Sequence, residues 1–225
     1  MLQVKLELSR PILYLITRGA TDNTTTPASP AFQHILLQIS AAVTVGVPLI
    51  QLREKRLTTL VLFELTERAV QLTRKTATRI LVNDRADVAR AAGADGVHLT
   101  SQSIDVKSIR KTFGKGFLIG ASTHSSAEAR AARDAGADFI VLGPIFPTAS
   151  KEKYGPALGL DKLTEVAQEL TPFPVLALGG IGFQNARDCL RAGAAGIAGI
   201  SLFNDPERLP GVAALSRLSA KGLTK

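Results

Sequence analysis

Short runs of consecutive apolar residues alternate along this chain with longer segments whose apolar positions recur about every 3.6 residues. Most of the short runs are continuous instead of alternating with polar residues, as expected of strands that are buried on both faces of a parallel sheet. The pattern predicts eight strands, at Ile12–Thr17, Leu49–Leu52, Ile80–Asn83, Gly96–Leu99, Phe117–Ser122, Phe139–Gly143, Val175–Leu178 and Gly196–Ile200.

The segments between these runs have the spacing of helices that bury one face. Leu62, Leu65 and Ala69, for example, follow one another at intervals of three and four residues. The same spacing predicts further helices at Phe32–Val45, Arg85–Ala92, Val106–Phe113, Ser126–Ala135, Leu160–Leu170, Gln184–Ala192 and Pro206–Leu218.

A short repeat joins helices to strands. The segments Ala92–Asp95, Ala135–Asp138 and Ala192–Ala195 each place a glycine between a predicted helix and the next strand, and Gly46 lies in the same position. Glycine can adopt a positive φ there and end the helix. Eight successive βα units predict a single closed (β/α)8 TIM barrel over residues 1–225, with an open doubly wound sheet as the alternative.

One connection is unusual in length and composition. Residues 19–31 are rich in threonine and proline and follow the first predicted strand. In a barrel, this position lies on the rim where active sites are built, so the segment is predicted to be a flexible βα loop. It is either a lid over the site or a mobile surface loop without a function.

Composition narrows the class of protein. Of the 225 residues, 45% are hydrophobic and 20% are charged, and no apolar run approaches the roughly 18 residues of a membrane span. The first ten residues lack the apolar stretch of a secretory signal. Cys189 is the only cysteine, which excludes an internal disulfide and a cysteine-based zinc site. We therefore expect a cytoplasmic protein with no membrane partner.

The formal net charge of +8 is open to three interpretations: a solvated basic surface, a nucleic-acid site, or cations gathered for anionic substrates. None of the two tyrosines and nine phenylalanines interleaves with a basic run, as a stacking platform for nucleic acid would require. We therefore expect no nucleic-acid partner. Whether the chain forms a homo-oligomer stays open.

The end of the second predicted strand carries candidate chemistry, because reactive groups of such barrels lie at the carboxyl ends of strands. Because successive side chains of a strand point to opposite faces, the side chains of Gln51, Arg53 and Lys55 are predicted to lie on the same face. A glutamine and two converging cations suit a phosphate or diphosphate. The alternative is that these residues pair within the barrel with Glu54 and Asp84.

Two further strand ends carry polar residues. Asn83 and Asp84 end the third strand, where the carboxylate of Asp84 either holds Mg²⁺ on a diphosphate or caps the following helix. Ser122 and His124 end the fifth strand. A histidine in this position is either catalytic or structural.

The loops after strands six to eight are candidate anion sites. The segment Gly143–Lys151 contains two hydroxyl residues and a lysine, which form either an anion clamp or a rigid surface loop. Gly179–Gly180 and Ser201 lie after strands seven and eight, the usual phosphate site of phosphate-binding barrels, where glycine allows close approach. One anion site is thus predicted near strands two and three together with Lys151, and the other near strands seven and eight. Two such sites in one pocket indicate a reaction that joins two phosphorylated molecules.

In order and spacing, these segments resemble the thiamine phosphate synthase family from Tyr14–Thr17 to Ile200–Ser201. The resemblance implies a transferase of thiamine biosynthesis that couples hydroxymethylpyrimidine diphosphate with thiazole phosphate, releasing thiamine phosphate and pyrophosphate. It implies a Mg²⁺ cofactor bound by Asp84, and catalytic roles for Arg53, Lys55, Ser122, His124 and Lys151. The implied substrate-binding residues are Gln51, Leu52, Arg53, Glu54, Lys55, Asn83, Ser122, Thr148, Ala149, Ser150, Lys151, Gly180, Ile200 and Ser201.

The chain departs from the synthase pattern in two places. Synthases usually carry an aspartate as a second Mg²⁺ ligand where this chain has Ser103, and a neutral hydroxyl is a much poorer ligand. Asp105 could replace that ligand only if the loop bulges. Arg18 stands where synthases often have an aspartate.

Two other functions stay open. The segment Leu99–Ser103 is more similar to the related thiazole tautomerases, in which a histidine at the position of His124 shuttles a proton. A non-catalytic regulator that binds thiamine precursors is the other alternative. We favour the synthase because the chain keeps Gln51–Lys55, Asn83–Asp84 and Thr148–Lys151, and a tautomerase has no pyrophosphate for these segments to hold.

Overall fold

In the computed structural model, which describes residues 11–148 and 156–215, eight strands alternate with eight α-helices. The strands are β1 (Ile12–Ile16), β2 (Leu49–Leu52), β3 (Arg79–Asn83), β4 (Gly96–Leu99), β5 (Leu118–Thr123), β6 (Phe139–Leu142), β7 (Val175–Ala177) and β8 (Gly196–Gly199). The helices are α1 (Pro30–Thr44), α2 (Thr59–Thr73), α3 (Ala86–Ala91), α4 (Val106–Phe113), α5 (Ser126–Asp134), α6 (Gly159–Leu170), α7 (Ala186–Arg191) and α8 (Leu209–Ala214). Within the described ranges, no helix is both long and apolar enough to cross a bilayer.

The strands form a closed parallel sheet. Each strand pairs with the next along the chain, and β1 also pairs with β8, with Leu15 opposite Gly199. On its other side β1 pairs with β2, with Ile16 opposite Gln51. The closure confirms the predicted (β/α)8 barrel, and the alternative of an open sheet is wrong.

Most element ends lie within two residues of their predicted positions. Helix α1 begins at Pro30, because the missing N–H of proline is not needed in the first turn of a helix. Pro30 and Ala31 therefore belong to α1 and not to the predicted loop over residues 19–31. The helix predicted at 206–218 is replaced by a 3₁₀ turn, Pro206–Arg208, followed by α8, and residues 216–218 lie outside the described ranges.

Alternation along the strands builds two apolar layers. Tyr14 and Phe139 point into the barrel, where their rings meet edge to face at a centroid separation of 5.4 Å. Leu13 and Ile50 point outwards and pack beneath the helices. These residues are almost completely buried, so the strands have an apolar environment on both faces, as their uninterrupted apolar sequences predict.

The repeated Ala-Gly-Ala-Asp motif ties strands together at the amino ends of the barrel. Asp95 accepts the backbone N–H of Ile80 at 2.8 Å, and Asp138 accepts that of Ile119 at 2.7 Å. Asp138 also pairs with the guanidinium of Arg110 at 2.6 Å. These contacts lie at the end of the barrel opposite the strand ends where active sites form, so they serve the stability of the fold.

Candidate active site

A cavity of about 760 Å³ opens at the carboxyl ends of the strands. This volume lies within the range of small-molecule sites. Among the described residues that line it, no side chain is a carboxylate. The lining residues are Ile16, Arg18, Gln51, Arg53, Lys55, Asn83, His98, Thr100, Ser101, Gln102, Ser122, His124, Leu178, Ile200, Ser201 and Asn204.

The end of β2 sends alternate side chains to opposite sides. Gln51, Arg53 and Lys55 all line the cavity, as their alternation predicts. Leu52 packs instead in the apolar layer beneath the helices, and Glu54 turns towards the loop after β1. The side chains of Leu52 and Glu54 therefore do not line this cavity, and their assignment as substrate-binding residues stays a prediction.

Glu54 is the anchor of the loop between β1 and α1. Its side chain is only 2% exposed. One carboxylate oxygen accepts the N–H of Gly19 at 3.0 Å, and the other accepts the hydroxyl of Thr21 at 2.6 Å and its N–H at 3.3 Å. The guanidinium of Arg56 also donates to the carbonyl of Thr21. These bonds attach the start of the loop to β2, while the predicted flexibility of the rest of the loop stays a prediction.

Asp84 lies at the centre of a polar cluster beside the cavity. One carboxylate oxygen accepts hydrogen bonds from the hydroxyls of Ser103 and Thr100. The other accepts from the amide of Asn83 and lies 3.7 Å from the Nζ of Lys55. The alternative that the cations after β2 pair within the barrel is therefore correct for Lys55, which pairs with Asp84. The described residues show no acidic partner for Arg53.

The two aspartates of the metal hypothesis have different roles. Asp84 does not cap α3: Arg85 occupies that position without a side-chain bond, so the capping alternative is wrong. Asp105 caps α4 by accepting the N–H of Ser108 at 2.9 Å, and hydrogen bonds from Ser108 lower the pKa of this carboxyl. Ser103, and not Asp105, is the residue bonded to Asp84.

A buried hydrogen-bonded chain leads from the barrel centre to the cavity. The hydroxyl of Tyr14 lies 3.2 Å from Nδ1 of His98, and Nε2 of His98 lies 2.9 Å from Oγ of Ser122. Burial raises the pKa of Tyr14 well above its ordinary value, so the phenol keeps its proton. Both Tyr14 and His98 lie within predicted strands, and the sequence pattern predicts no functional role for either.

Gln51 presents a donor that the described protein leaves unsatisfied. Its side chain is 1% exposed, and its Nε2 is buried without a hydrogen-bond partner. A buried amide without a partner is costly, because it has lost its bonds to water. The Gln51 side chain lies close enough to the Tyr14 hydroxyl to lower the pKa of that phenol against the larger effect of burial, and its Nε2 has almost no surface open to a ligand in the cavity.

His124 has its ring orientation set by the backbone. Its Nδ1 lies within hydrogen-bond distance of the carbonyl of Gly143, which can only accept. In the neutral ring the proton therefore lies on Nδ1, and Nε2 is the basic nitrogen. The ring lines the cavity, and the backbone N–H of His124 donates to Glu128 at 2.7 Å.

The glycines after β7 allow the loops after β6 and β7 to pack closely. Gly180 has a φ of +64°, and a Cβ there would lie 2.7 Å from the Cβ of Phe146 and from the carbonyl oxygen of Pro147. The space beside Gly180, where we expected a phosphate to approach closely, is thus occupied in the described residues by the loop after β6. Ile200 and Ser201 line the cavity as expected, whereas Gly180 and Thr148 do not contribute to its lining.

Part of the predicted site lies outside the described residues. Ala149, Ser150 and Lys151 fall between the two described ranges, so their assignments stay predictions. Several lining residues, Arg18 and Asn204 among them, have no role predicted from the sequence. The available signal for Arg18 is its position two residues after the end of β1, where a barrel places functional side chains.

A closed barrel with a cationic cavity at the carboxyl ends of its strands belongs to the class of barrels that bind phosphorylated small molecules. A model of the thiamine monophosphate synthase family matches residues 13–203, and the chain belongs to this family.

Named relatives agree with this assignment. The thiamine-phosphate synthase of Methanoculleus marisnigri is 44% identical over 156 residues, which cover 69% of this chain and 74% of the relative. That of a Roseiflexus species is 40% identical over 163 residues, covering 72% and 69%. A solved structure, the thiamine phosphate pyrophosphorylase of Pyrococcus furiosus, superposes with a TM-score of 0.75 at 30% identity, covering 94% of this chain and 98% of that one.

Proposed function

We propose that the protein is a thiamine-phosphate synthase that couples hydroxymethylpyrimidine diphosphate with thiazole phosphate. The bond from the pyrimidine methylene carbon to the diphosphate oxygen breaks, and pyrophosphate leaves with the electron pair. The thiazole nitrogen supplies the electron pair of the new carbon–nitrogen bond, which completes thiamine phosphate. The observation that supports this most directly is that cations and neutral donors from several strands line one shared cavity, with no carboxylate among its described lining residues.

The diphosphate is assigned to the side of the cavity formed by β2, β3 and β5. Arg53 and Lys55 supply positive charge there, and Gln51 lines the same side of the cavity. Asn83 and Ser122 line the same cavity. Because negative charge grows on the diphosphate as it leaves, donors already aimed at it stabilise the transition state more than the ground state. Lys151 is assigned to the same group.

The thiazole phosphate is assigned to the opposite side. Ile200 and Ser201 begin the segment after β8, where Ser201 opens a 3₁₀ turn whose first N–H groups can donate to phosphate oxygens. The further residues assigned to this substrate are Gly180, Thr148, Ala149 and Ser150. Holding both substrates with the thiazole nitrogen near the methylene carbon lowers the entropic part of the barrier.

Mg²⁺ is assigned to Asp84. Within the described residues, no three histidine, cysteine or acidic side chains come together as a metal-binding group. Mg²⁺ nevertheless binds many enzymes through one or two carboxylates together with substrate phosphates. Asp84, with the hydroxyls of Ser103 and Thr100 beside it, fits that pattern with a single carboxylate. A bound Mg²⁺ would supply positive charge to the diphosphate oxygens.

His124 is assigned a catalytic position, but its geometry does not favour a tautomerase over a synthase. Its basic Nε2 would be needed for proton shuttling, yet the ring is equally suited to orienting a substrate through a hydrogen bond. The relatives described above are named as synthases, and neither the tautomerase nor the non-catalytic regulator gains support from them.

The test is a direct coupling assay. Purified protein is mixed with hydroxymethylpyrimidine diphosphate, thiazole phosphate and Mg²⁺, with and without a chelator, and thiamine phosphate is followed. Formation of product that stops on chelation is the expected result. If well-folded protein gives no product, the synthase assignment fails. Isomerisation of the thiazole phosphate precursor would then be the next activity to measure, with His124→Ala as the diagnostic variant.

A further inference from the structure

Two arginines face the cavity from neighbouring strands. Arg18 follows β1 and Arg53 follows β2, and both line the same space as Lys55. Over residues 11–148 and 156–215, neither guanidinium has a hydrogen bond or an ion pair, whereas Lys55 lies 3.7 Å from the carboxylate of Asp84. The cavity is therefore lined by two arginines that form no ion pair with the described residues.

The backbone around Arg18 is held against the end of β2 on both sides. The hydroxyl of Thr17 accepts the N–H of Arg53 at 2.8 Å. The N–H of Gly19 donates to the carboxylate of Glu54 at 3.0 Å. Because the residues immediately before and after Arg18 are both bonded to β2, its starting position relative to Arg53 is set by the fold.

The guanidinium of Arg53 also lies close to this segment. A Cβ at Gly19 would lie 3.5 Å from Nη1 of Arg53 and 3.1 Å from its carbonyl oxygen, and Gly19 has a φ of +74° that other residues rarely adopt. Glycine at this position thus lets the Arg53 side chain pass directly beside the residue that follows Arg18.

Two like charges that face one cavity repel each other, and the repulsion is relieved when a multiply charged anion binds between them. Guanidinium groups suit such an anion because their planar N–H pairs match the oxygens of phosphate groups. We propose that Arg18 and Arg53 form an arginine pair that binds a diphosphate, so that Arg18 is a substrate-binding residue. The choice of diphosphate as ligand rests on the proposed function.

The test measures the binding of inorganic pyrophosphate by calorimetry in the presence of a chelator, so that no metal contributes. We expect Arg18→Ala to weaken binding at least about tenfold, the effect of losing a charge-assisted hydrogen bond. The affinity of Arg18→Lys for pyrophosphate should lie between that of the wild type and that of Arg18→Ala, since lysine keeps the charge but not the planar pair of donors. Arg90→Ala is the matched control: Arg90 is exposed on α3, has no ion pair in the described residues, and should bind like the wild type.

Two further measurements test whether the ligand is a diphosphate and whether Arg18 and Arg53 bind it together. In an Arg53→Ala background, Arg18→Ala should cause a smaller loss than in the wild type, because the two side chains share one ligand. The inference is overturned if Arg18→Ala binds pyrophosphate as the wild type does, if its loss is confined to orthophosphate, or if the wild type binds no pyrophosphate. The coupling assay on the wild type separates this inference from the proposed function, because turnover there does not depend on the outcome for Arg18→Ala.

Discussion

Nε2 of His98 lies 2.9 Å from Oγ of Ser122, which joins the cavity to the buried centre of the barrel. The other ring nitrogen of His98 lies 3.2 Å from the hydroxyl of Tyr14, a residue that is fully buried and does not line the cavity. The direction in which the Ser122 hydroxyl points is therefore set by residues on β1 and β4, and not by its own strand alone.

Tyr14→Phe should lower kcat for coupling roughly tenfold with little change in KM, because a small misplacement of a donor costs rate more than binding. Phenylalanine keeps the ring that packs on Phe139 and removes only the hydroxyl. Steady-state kinetics on both substrates measure the split between kcat and KM.

The double variant Tyr14→Phe/Ser122→Ala distinguishes positioning from a general loss of stability. If Tyr14 acts through Ser122, the double variant should be no slower than Ser122→Ala alone, since groups that act as one unit are not additive. Fully additive losses in rate, with unfolding curves unchanged, would show that Tyr14 does not act through Ser122.

Ser103→Asp should tighten the binding of Mg²⁺, roughly tenfold, because it adds a second carboxylate where a hydroxyl now contacts Asp84. Calorimetric titration with MgCl₂ in the absence of substrate measures the affinity without reference to activity. Ser103→Ala is the control that removes the hydroxyl without adding charge. Weaker Mg²⁺ binding by Ser103→Asp than by the wild type would argue against a metal beside this loop.

The free energy of unfolding should depend on pH, and Asp138 should contribute to that dependence. Burial raises the pKa of this carboxyl above its ordinary value of 3.8, against the opposing effect of the Ile119 N–H and Arg110. Between the ordinary and the raised pKa, the folded protein binds more protons than the unfolded chain. Stability therefore falls as the pH rises through this window.

Asp138→Asn removes this titration, so urea unfolding of the variant should depend less steeply on pH over the same window. Asp134→Asn, at an exposed position near the end of α5, is the matched control and should keep the wild-type slope. Equal slopes for Asp138→Asn and the wild type would mean that the pKa of Asp138 is the same in the folded and unfolded chains.

Cys189 should be inert in the folded protein. It is the only cysteine of the chain, it is completely buried, and burial raises the pKa of its thiol to about 12. At pH 8 the reactive thiolate is therefore scarce as well as inaccessible. A thiol reagent should modify one group per chain in urea and almost none in buffer; rapid labelling of folded protein would contradict the buried position.

The sequence was sufficient for the barrel because its strands are buried on both faces, which leaves uninterrupted apolar runs that stand out from the helices. Alternation was also enough to place Gln51, Arg53 and Lys55 on one side. Leu52 and Glu54 were assigned as substrate-binding residues only through the family resemblance, and strand geometry turns their side chains away from the cavity.

Contacts between residues that closure of the barrel brings together could not be predicted from the sequence. Tyr14 and His98 are 84 positions apart, and no local pattern records that β1 and β4 meet across the barrel interior. The role of Asp84 was equally hidden: a strand-end aspartate before a helix fits a cap, but its φ of +61° and its bonds to Thr100 and Ser103 belong to a different loop geometry.

The hydrogen bonds of Asp95 and Asp138 lie at the amino ends of the strands, while the cavity lies at the carboxyl ends. The residues that stabilise the amino ends of the strands are thus different from the residues that determine which substrate the cavity binds. Substitutions around the cavity could therefore change which phosphorylated compound binds, while the hydrogen bonds of Asp95 and Asp138 stay intact. An engineer could likewise strengthen the amino ends of the barrel without touching the chemistry.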